Sequence, residues 1–231
     1  MNATSDRDNL FGETAFKNAK VKFGAPHFVD FGKNNEHSPD GKAYIVGHGA
    51  SRASAIQAWM LGDEVYIARV DPTPEAMSNR DEWEFWTGDD WIKGQVEQAK
   101  PIISWENHTG VVTMSYQPVL KKYITIISTA SFYPSMRKQF DTYFLESDSI
   151  TGPYRYISYL SEFGPEAYFV NIPSKFATTQ IVRNETSKSS YYGAFLSYSA
   201  NFAFVQDPPN PPGSGYHWSL QQFRFVLAQK Y

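Results

Sequence analysis

The chain has 231 residues, of which 42% are hydrophobic and 19% are charged, and its net charge is -3. This composition is typical of a folded globular protein. The chain contains no cysteine and no basic run, so disulfides are excluded and nucleic acid is not expected as a partner. Aromatic residues reach 16%, which suits β-sheets and also sugar binding.

Targeting signals are weak. No apolar run of 18 residues occurs and residues 1–20 are polar, so neither a membrane span nor a signal peptide is expected. Asn2, Asn107 and Asn184 each begin an N-glycosylation sequon. On this basis we expect the full-length protein to be extracellular.

In chain order, the sequence predicts short strands rich in Val, Ile, Tyr and Phe, bounded by Gly, Pro, Asp and Asn. Four strand types recur in a fixed order: a first, a second that ends in small or polar residues, a third, and a polar fourth. The predicted strands are 26–32, 111–118 and 167–174 (first), 42–51, 122–131 and 191–201 (second), 63–70, 141–148 and 219–228 (third), and 82–88 and 154–160 (fourth). Short helices are predicted over 52–60 and 91–99.

Four strands repeated about every 55 to 85 residues are typical of β-propeller blades. The sequence therefore predicts an all-β fold, a β-propeller of four-stranded antiparallel blades. It forms a single domain over 21–231 after a polar segment 1–20, with blades over about 21–105, 106–163 and 164–231. Propellers typically close with at least four blades, so the chain is expected to lack N-terminal blades. The alternative is a β-sandwich.

Candidate site residues follow from the propeller arrangement, in which ligand groups come from the starts of first strands and the ends of second strands. His48 ends a second strand between Gly47 and Gly49, where absent side chains let backbone and ligand approach closely. Other candidates at such positions are His27, Asn107, His108, Glu166 and Ser128. No metal-ligand spacing and no nucleotide motif is present, so no cofactor is expected, although a structural calcium ion stays open.

The stretch "ESDSITGPYRYISYL" (146–160) resembles five-bladed propeller glycoside hydrolases of the arabinanase, xylosidase and fructosidase-like kind. "GPEAYFVNIPSKF" (164–176) places an acid at the start of a first strand, where those families hold the general acid. The resemblance covers about residues 20–231 and implies that Glu166 protonates the leaving oxygen. The family's early aspartate has no obvious counterpart, and Asp30, in the middle of a predicted strand, is the nearest one.

A second resemblance is to propeller polysaccharide lyases, such as ulvan and rhamnose–glucuronate lyases. It implies His27 and His48 as a histidine pair on consecutive strands, Tyr116 as the tyrosine and Arg137 as the nearest arginine. In a lyase, an imidazole would abstract the C5 proton of a uronate and Tyr116 would protonate the departing oxygen.

Three functions stay open from the sequence. A glycoside hydrolase acting on a plant or microbial polysaccharide is favoured, a polysaccharide lyase is the alternative, and a non-catalytic glycan-binding propeller or inactive fragment is the third. In each case the expected partner is an oligo- or polysaccharide. The catalytic candidates are Glu166, His48, His27 and Tyr116, and the substrate-binding candidates are His37, Asn107, His108, Arg137, Ser128 and Asn171.

Overall fold

The computed structural model describes residues 21–50, 58–130, 139–165, 167–186, 189–200 and 217–227. Within this part, β-strands joined by short loops dominate. Two single-turn helices, α1 (Ala58–Leu61) and α2 (Pro74–Met77), lie between them. In the same part, no helix has the length and apolar character needed to span a membrane.

The first sheet has six strands and is antiparallel. Its strands are β1 (Val21–Phe28), β2 (Ala43–Ala50), β3 (Gly62–Val70), β4 (Glu84–Trp86), β5 (Trp91–Lys93) and β6 (Ile103–Thr109). The first five pair in chain order, and β6 pairs with the part of β3 that β4 leaves free.

The second sheet is an antiparallel meander. Its strands are β7 (Val111–Gln117), β8 (Lys122–Ala130), β9 (Gln139–Ser147) and β10 (Arg155–Pro165), paired in chain order. The third sheet consists of β11 (Tyr168–Asn171), β12 (Val182–Asn184), β13 (Ser189–Ala200) and β14 (His217–Leu227). Strands β11 and β12 pair with the two ends of β13, and β14 pairs with its other edge.

The predicted all-β architecture of antiparallel sheets is confirmed, and each predicted strand overlaps an observed one. The helix predicted over 91–99 is wrong. Trp91–Lys93 forms β5, Gly94 ends it with a φ of 71°, and a 3₁₀ turn Val96–Gln98 follows. The helix predicted over 52–60 falls largely outside the described residues. Strand β6 runs across the predicted blade boundary at residue 105 and completes the first sheet.

The second sheet lies between the other two, so β8 is buried on both faces. Alternate side chains of a strand point to opposite faces. Tyr123 and Ile127 belong to the core shared with the first sheet, whereas Ile124 and Ile126 belong to the core shared with the third. Burial on both sides explains why the middle of β8 is almost continuously apolar.

The first strands of the three sheets meet at one place. We call it the hub, and it consists of residues 27–31, 111–117 and 168–171. Asp30 forms a parallel bridge with Ser115, so the continuation of β1 runs beside β7 in the same direction. The Thr113 hydroxyl donates to the Val170 carbonyl at 2.6 Å and joins β7 to β11. The three segments, although distant in sequence, therefore begin at one end of the hub and finish at the other. We call these the N-terminal end and the C-terminal end of the hub.

Candidate functional site

At the N-terminal end of the hub, β1 and β11 touch through two rings. The His27 imidazole stacks on Phe169, with ring centroids 4.2 Å apart and an interplanar angle of 28°. His27 lies opposite Val46 of β2, and Phe169 adopts a positive φ of 51° within β11. Burial lowers the pKa of His27, so its ring is neutral at pH 7 and offers one donor and one acceptor nitrogen.

His48 lies in β2 opposite Gly24 of β1, where it is only 4% exposed. Its ring packs against the backbone of β1, because a Cβ atom at Gly24 would lie 2.3 Å from Nε2 of His48. Gly47 serves a second close approach, since its Cβ would lie 2.6 Å from the Cα of Phe23. The glycine before His48 therefore makes room for the β1 backbone.

Burial also sets the chemistry of His48. It lowers the pKa of the imidazole to about 4. Among the described residues, no group forms a hydrogen bond with Nδ1. A neutral ring with such a low pKa is a weak base at neutral pH, so the position of His48 suits a supporting role better than proton abstraction.

Glu166 and Arg137 lie outside the described residues. The chain immediately after Glu166 is described and enters the N-terminal end of the hub. Ala167 is fully buried, and the Tyr168 ring meets Phe140 of β9 edge-on at 5.3 Å. The next residue is Phe169, whose ring stacks on His27.

Asp30 forms hydrogen bonds that join two segments of the hub near its C-terminal end. Its Oδ1 accepts hydrogen bonds from the Ser174 hydroxyl at 2.7 Å and the Gly32 N–H at 2.9 Å, and its Oδ2 accepts from the Ser174 N–H at 2.8 Å. Ser174 begins the 3₁₀ turn Ser174–Phe176 that follows β11, so these bonds tie the first sheet to the third. With both oxygens engaged, Asp30 is a structural acceptor, and it is a poor counterpart of a catalytic aspartate.

A cleft of about 830 Å³ opens at the C-terminal end of the hub, where loops of all three sheets meet. The residues that line it include Lys33, Glu36, His37, Gln117, Pro118, Lys175, Thr178 and Tyr192. The Tyr116 ring neighbours His37, with centroids 6.1 Å apart. The structure therefore places His37 and Tyr116 together, at the opposite end of the hub from His27 and His48.

His108, which follows Asn107 near the end of β6, contacts Tyr143 of the second sheet, with ring centroids 5.9 Å apart. Its ring stacks on Trp105 with centroids 4.7 Å apart, and Trp105 meets Tyr143 of β9 edge-on at 4.8 Å. Tyr143 in turn stacks on Tyr159 of β10, which is 39% exposed. Asn107 and His108, both predicted to bind substrate, therefore border an aromatic cluster formed by strands of two sheets.

Ser128 and Asn171, both predicted to bind substrate, make contacts within their own sheets. The Ser128 hydroxyl is buried 3.4 Å from that of Thr142 on β9. The Asn171 side chain donates to the Phe169 carbonyl at 3.0 Å, within β11. No cluster of three His, Asp or Glu side chains suited to a metal ion occurs among the residues that the structure describes.

Sequence reasoning missed three residues that shape the two ends of the hub. Phe169 was one strand aromatic among many, and only the tertiary contact with His27 distinguishes it. Lys33 and Lys175 lie in loops, where hydrophobic periodicity gives no signal. Their common feature is that each follows a first strand, and the repeat order in the sequence does contain that information.

Comparison with known proteins gives a likeness in backbone only. No protein-family model matches the chain, and no curated protein matches it. Among solved structures, it is similar to an exo-β-1,3-galactanase from Phanerochaete chrysosporium bound to galactose, at 12% identity and a TM-score of 0.39, over 78% of this chain and 35% of that one.

Two bacterial structures are similar at the same level. One is the glycoside hydrolase family 43 YxiA protein from Bacillus licheniformis, at 15% identity and a TM-score of 0.37, over 89% of this chain and 44% of that one. The other is a family 43 arabinoxylan arabinofuranohydrolase from Bacillus subtilis in complex with cellotetraose, at 13% identity and a TM-score of 0.35, over 95% and 39%. The chain therefore spans less than half the length of each of these proteins, and the likeness by itself assigns no activity.

Proposed function

We propose that the protein is a carbohydrate-active β-propeller, a glycoside hydrolase that acts on a plant or microbial polysaccharide at the N-terminal end of the hub. The observation that carries the proposal is the contact of His27 with Phe169, because it joins the end of β1 to the start of β11, three residues after Glu166 in the sequence. An aromatic surface beside a carboxylic acid is what glycoside cleavage needs, since one holds the sugar and the other supplies the proton.

The arrangement of the sheets supports the propeller. The first strands β1 and β7 lie side by side and parallel at the hub, and β7 is bonded to β11. Each sheet then continues outward from its first strand with antiparallel partners. The second sheet packs on one neighbour through each face, as a blade within a ring of blades does.

In the proposed reaction, Glu166 is the general acid. It donates its proton to the glycosidic oxygen as the bond from that oxygen to the anomeric carbon breaks. A general acid of this kind works best when burial raises its pKa toward the working pH. A second carboxylate attacks the anomeric carbon or activates water. Asp30 is already engaged by three donors, so we assign this role to a carboxylate other than Asp30.

The two histidines take different roles in this proposal. His27 is half-buried beside Phe169 and can exchange hydrogen bonds with sugar hydroxyls. His48 is a positioning residue, because its buried ring supports β1 at Gly24. Elimination by a lyase needs an accessible base, and the 4% exposure of His48 does not favour that alternative.

The test is release of reducing ends from a panel of neutral and uronate-containing polysaccharides, with Glu166→Gln compared with the unmodified protein. We expect the substitution to lower the rate about 10²- to 10⁴-fold, because the general acid is lost. The matched control is Glu185→Gln, which removes an exposed carboxylate in the turn after β12. It should retain full activity.

Two outcomes would reject the hydrolase. One is equal activity of Glu166→Gln and Glu185→Gln. The other is the absence of cleavage of every polysaccharide in the panel, which would favour a non-catalytic glycan-binding propeller. Products that absorb in the ultraviolet because they carry an unsaturated uronate would instead establish elimination.

A further inference from the structure

The cleft at the C-terminal end of the hub is separate from the proposed catalytic end. His27 and Gly32 are five residues apart along an extended segment, which corresponds to about 16 Å. The cleft volume of about 830 Å³ is within the range of sites that bind small molecules, about 300–1,000 Å³. It can therefore hold a ligand of several sugar units without reaching the other end.

Hydrogen bonds between buried side chains hold the floor of the cleft. Tyr192 and Gln117 are both fully buried, and the Tyr192 hydroxyl donates to Oε1 of Gln117 at 2.8 Å. The Gln117 amide donates in turn to the Ser115 hydroxyl at 2.8 Å. Pro118 and Thr178 also line the cleft. Flat apolar surface mixed with fixed hydrogen-bonding groups matches a sugar, which has apolar C–H faces and a rim of hydroxyls.

The cleft carries positive charge. Several described cations outside it, including Lys42, Arg69 and Lys122, form ion pairs with carboxylates. Within the described part, Lys33 and Lys175 in the cleft form no ion pair, although the Lys175 ammonium lies 5.7 Å from the Phe176 ring.

Glu36 is the only carboxylate among the residues that line the described cleft, and it is already engaged. Its Oε1 accepts a hydrogen bond from the Lys33 N–H at 3.2 Å and lies 3.9 Å from Nε2 of His37. Two ammonium groups against one engaged carboxylate leave the cleft with an excess of positive charge. An anionic group is the complementary ligand.

We propose that this cleft is a binding site for an anionic oligosaccharide, whose uronate carboxylate pairs with Lys33 and Lys175. The sugar rings lie over Pro118 and beside His37 and Tyr116. The site goes beyond the proposed hydrolysis, because it lies at the opposite end of the hub and binds without cleaving. It would retain an acidic polysaccharide on the protein.

The test is calorimetric titration of the full chain with a tetrameric oligogalacturonate and with its carboxyl-reduced counterpart, which differs only in charge. We expect the acidic tetramer to bind and the reduced one to bind at least tenfold more weakly. Lys33→Gln and Lys175→Gln should each weaken binding of the acidic tetramer about tenfold, and added salt should weaken it further. The matched control is Lys100→Gln, an exposed lysine outside the cleft, which should bind as the unmodified protein does.

The proposal is overturned if the two tetramers bind equally, if neither binds, or if both cleft variants bind like Lys100→Gln. The proposal is also overturned if free acetate binds as tightly as the acidic tetramer, because the site would then recognise a negative charge and not a sugar. Glu166→Gln separates this inference from the proposed hydrolysis. A Glu166→Gln protein that still binds the acidic tetramer supports the cleft whether or not cleavage is observed, and loss of binding in that variant contradicts a separate site.

Discussion

His48 is held neutral inside the first sheet, where its ring lies against the backbone of Gly24 and is shielded from water. Burial lowers the pKa of this imidazole from 6.5 to about 4. Protonation is therefore harder in the folded chain than in the unfolded chain. The stability that the neutral ring preserves is fully present above about pH 6.5 and is lost as the pH falls toward 4.

This residue gives a prediction about stability and pH. Each pKa unit corresponds to about 1.4 kcal/mol, so protonating His48 should cost about 3 kcal/mol of unfolding free energy by the time the pH has fallen below 4. In His48→Gln, which does not titrate, that part of the acid sensitivity should disappear. Chemical denaturation between pH 7 and pH 4 measures the difference between the two proteins.

The matched control is Gln98→Asn, an exposed substitution that removes no titratable group, whose acid sensitivity should equal that of the unmodified protein. Parallel loss of stability in His48→Gln and in the unmodified protein would mean that His48 is not kept neutral by the fold.

At this scale the sequence predicts where chemistry-bearing residues lie better than what each one does. The sequence "VGHGA" indicated a special position at His48, and the structure contains one. Its cause is the close passage of β1 over Gly47, which depends on a pairing that one-dimensional spacing does not contain. In the same way, Asp30 is an ordinary strand aspartate in the sequence, and two of its three donors come from Ser174 in the loop after β11, which only the structure reveals.

At the scale of the element, the pairing of β1 with β2 depends on close contact between backbones. Gly24 faces His48 across the pair, and Gly47 faces Phe23. Neither glycine has a positive φ, so alanine is tolerated by the backbone at both positions and any cost comes from the contact. The two contacts differ in kind, since Gly24 meets a side chain and Gly47 meets main-chain atoms.

This difference predicts a selective rescue. Gly24→Ala should destabilise the protein by about 1–3 kcal/mol, because the new methyl group would overlap the His48 ring. In a His48→Ala background the ring is absent, and the same substitution should cost far less. Thermal or chemical unfolding of the four proteins in this cycle gives the coupling energy between the two positions.

Gly47→Ala serves as the matched control, because its methyl group would meet the Phe23 backbone whether or not His48 is present. It should be equally destabilising in both backgrounds. A Gly24→Ala penalty that persists without the His48 ring would contradict the packing described for β1 and β2.

The positions of the secondary-structure elements were the most predictable feature of this molecule. Alternation and aromatic content located most strands of the three sheets, because burial on one or both faces imposes a pattern that repeats along the chain. Three strands were not predicted, and one of them is the short β12. Strand β5 is only three residues long, and the spacing of residues after it imitates a helical turn. Strand β6 pairs with β3 across a long connection, which no local pattern records.

At the scale of the whole molecule, the proposed function depends on the meeting of the three first strands. The repeat of strand types predicted that they share one place, and the hub contains all three. The contacts that close it were not predictable, because they join residues far apart in sequence through loops. Examples are the stacking of His27 on Phe169 and the bonds from Ser174 to Asp30.

The most direct test of the hub is a double-mutant cycle with Asp30→Asn and Ser174→Ala, measured by chemical denaturation, with Asp30→Asn and Ser149→Ala as the control pair. Ser149 lies in the turn between β9 and β10 and makes local bonds only. If the first and third sheets meet as described, Asp30 and Ser174 should couple by about 0.5–3 kcal/mol, while the control pair should be additive within about 0.5 kcal/mol. Additive effects of Asp30→Asn and Ser174→Ala would contradict the contact between β1 and the loop after β11, and with it the hub.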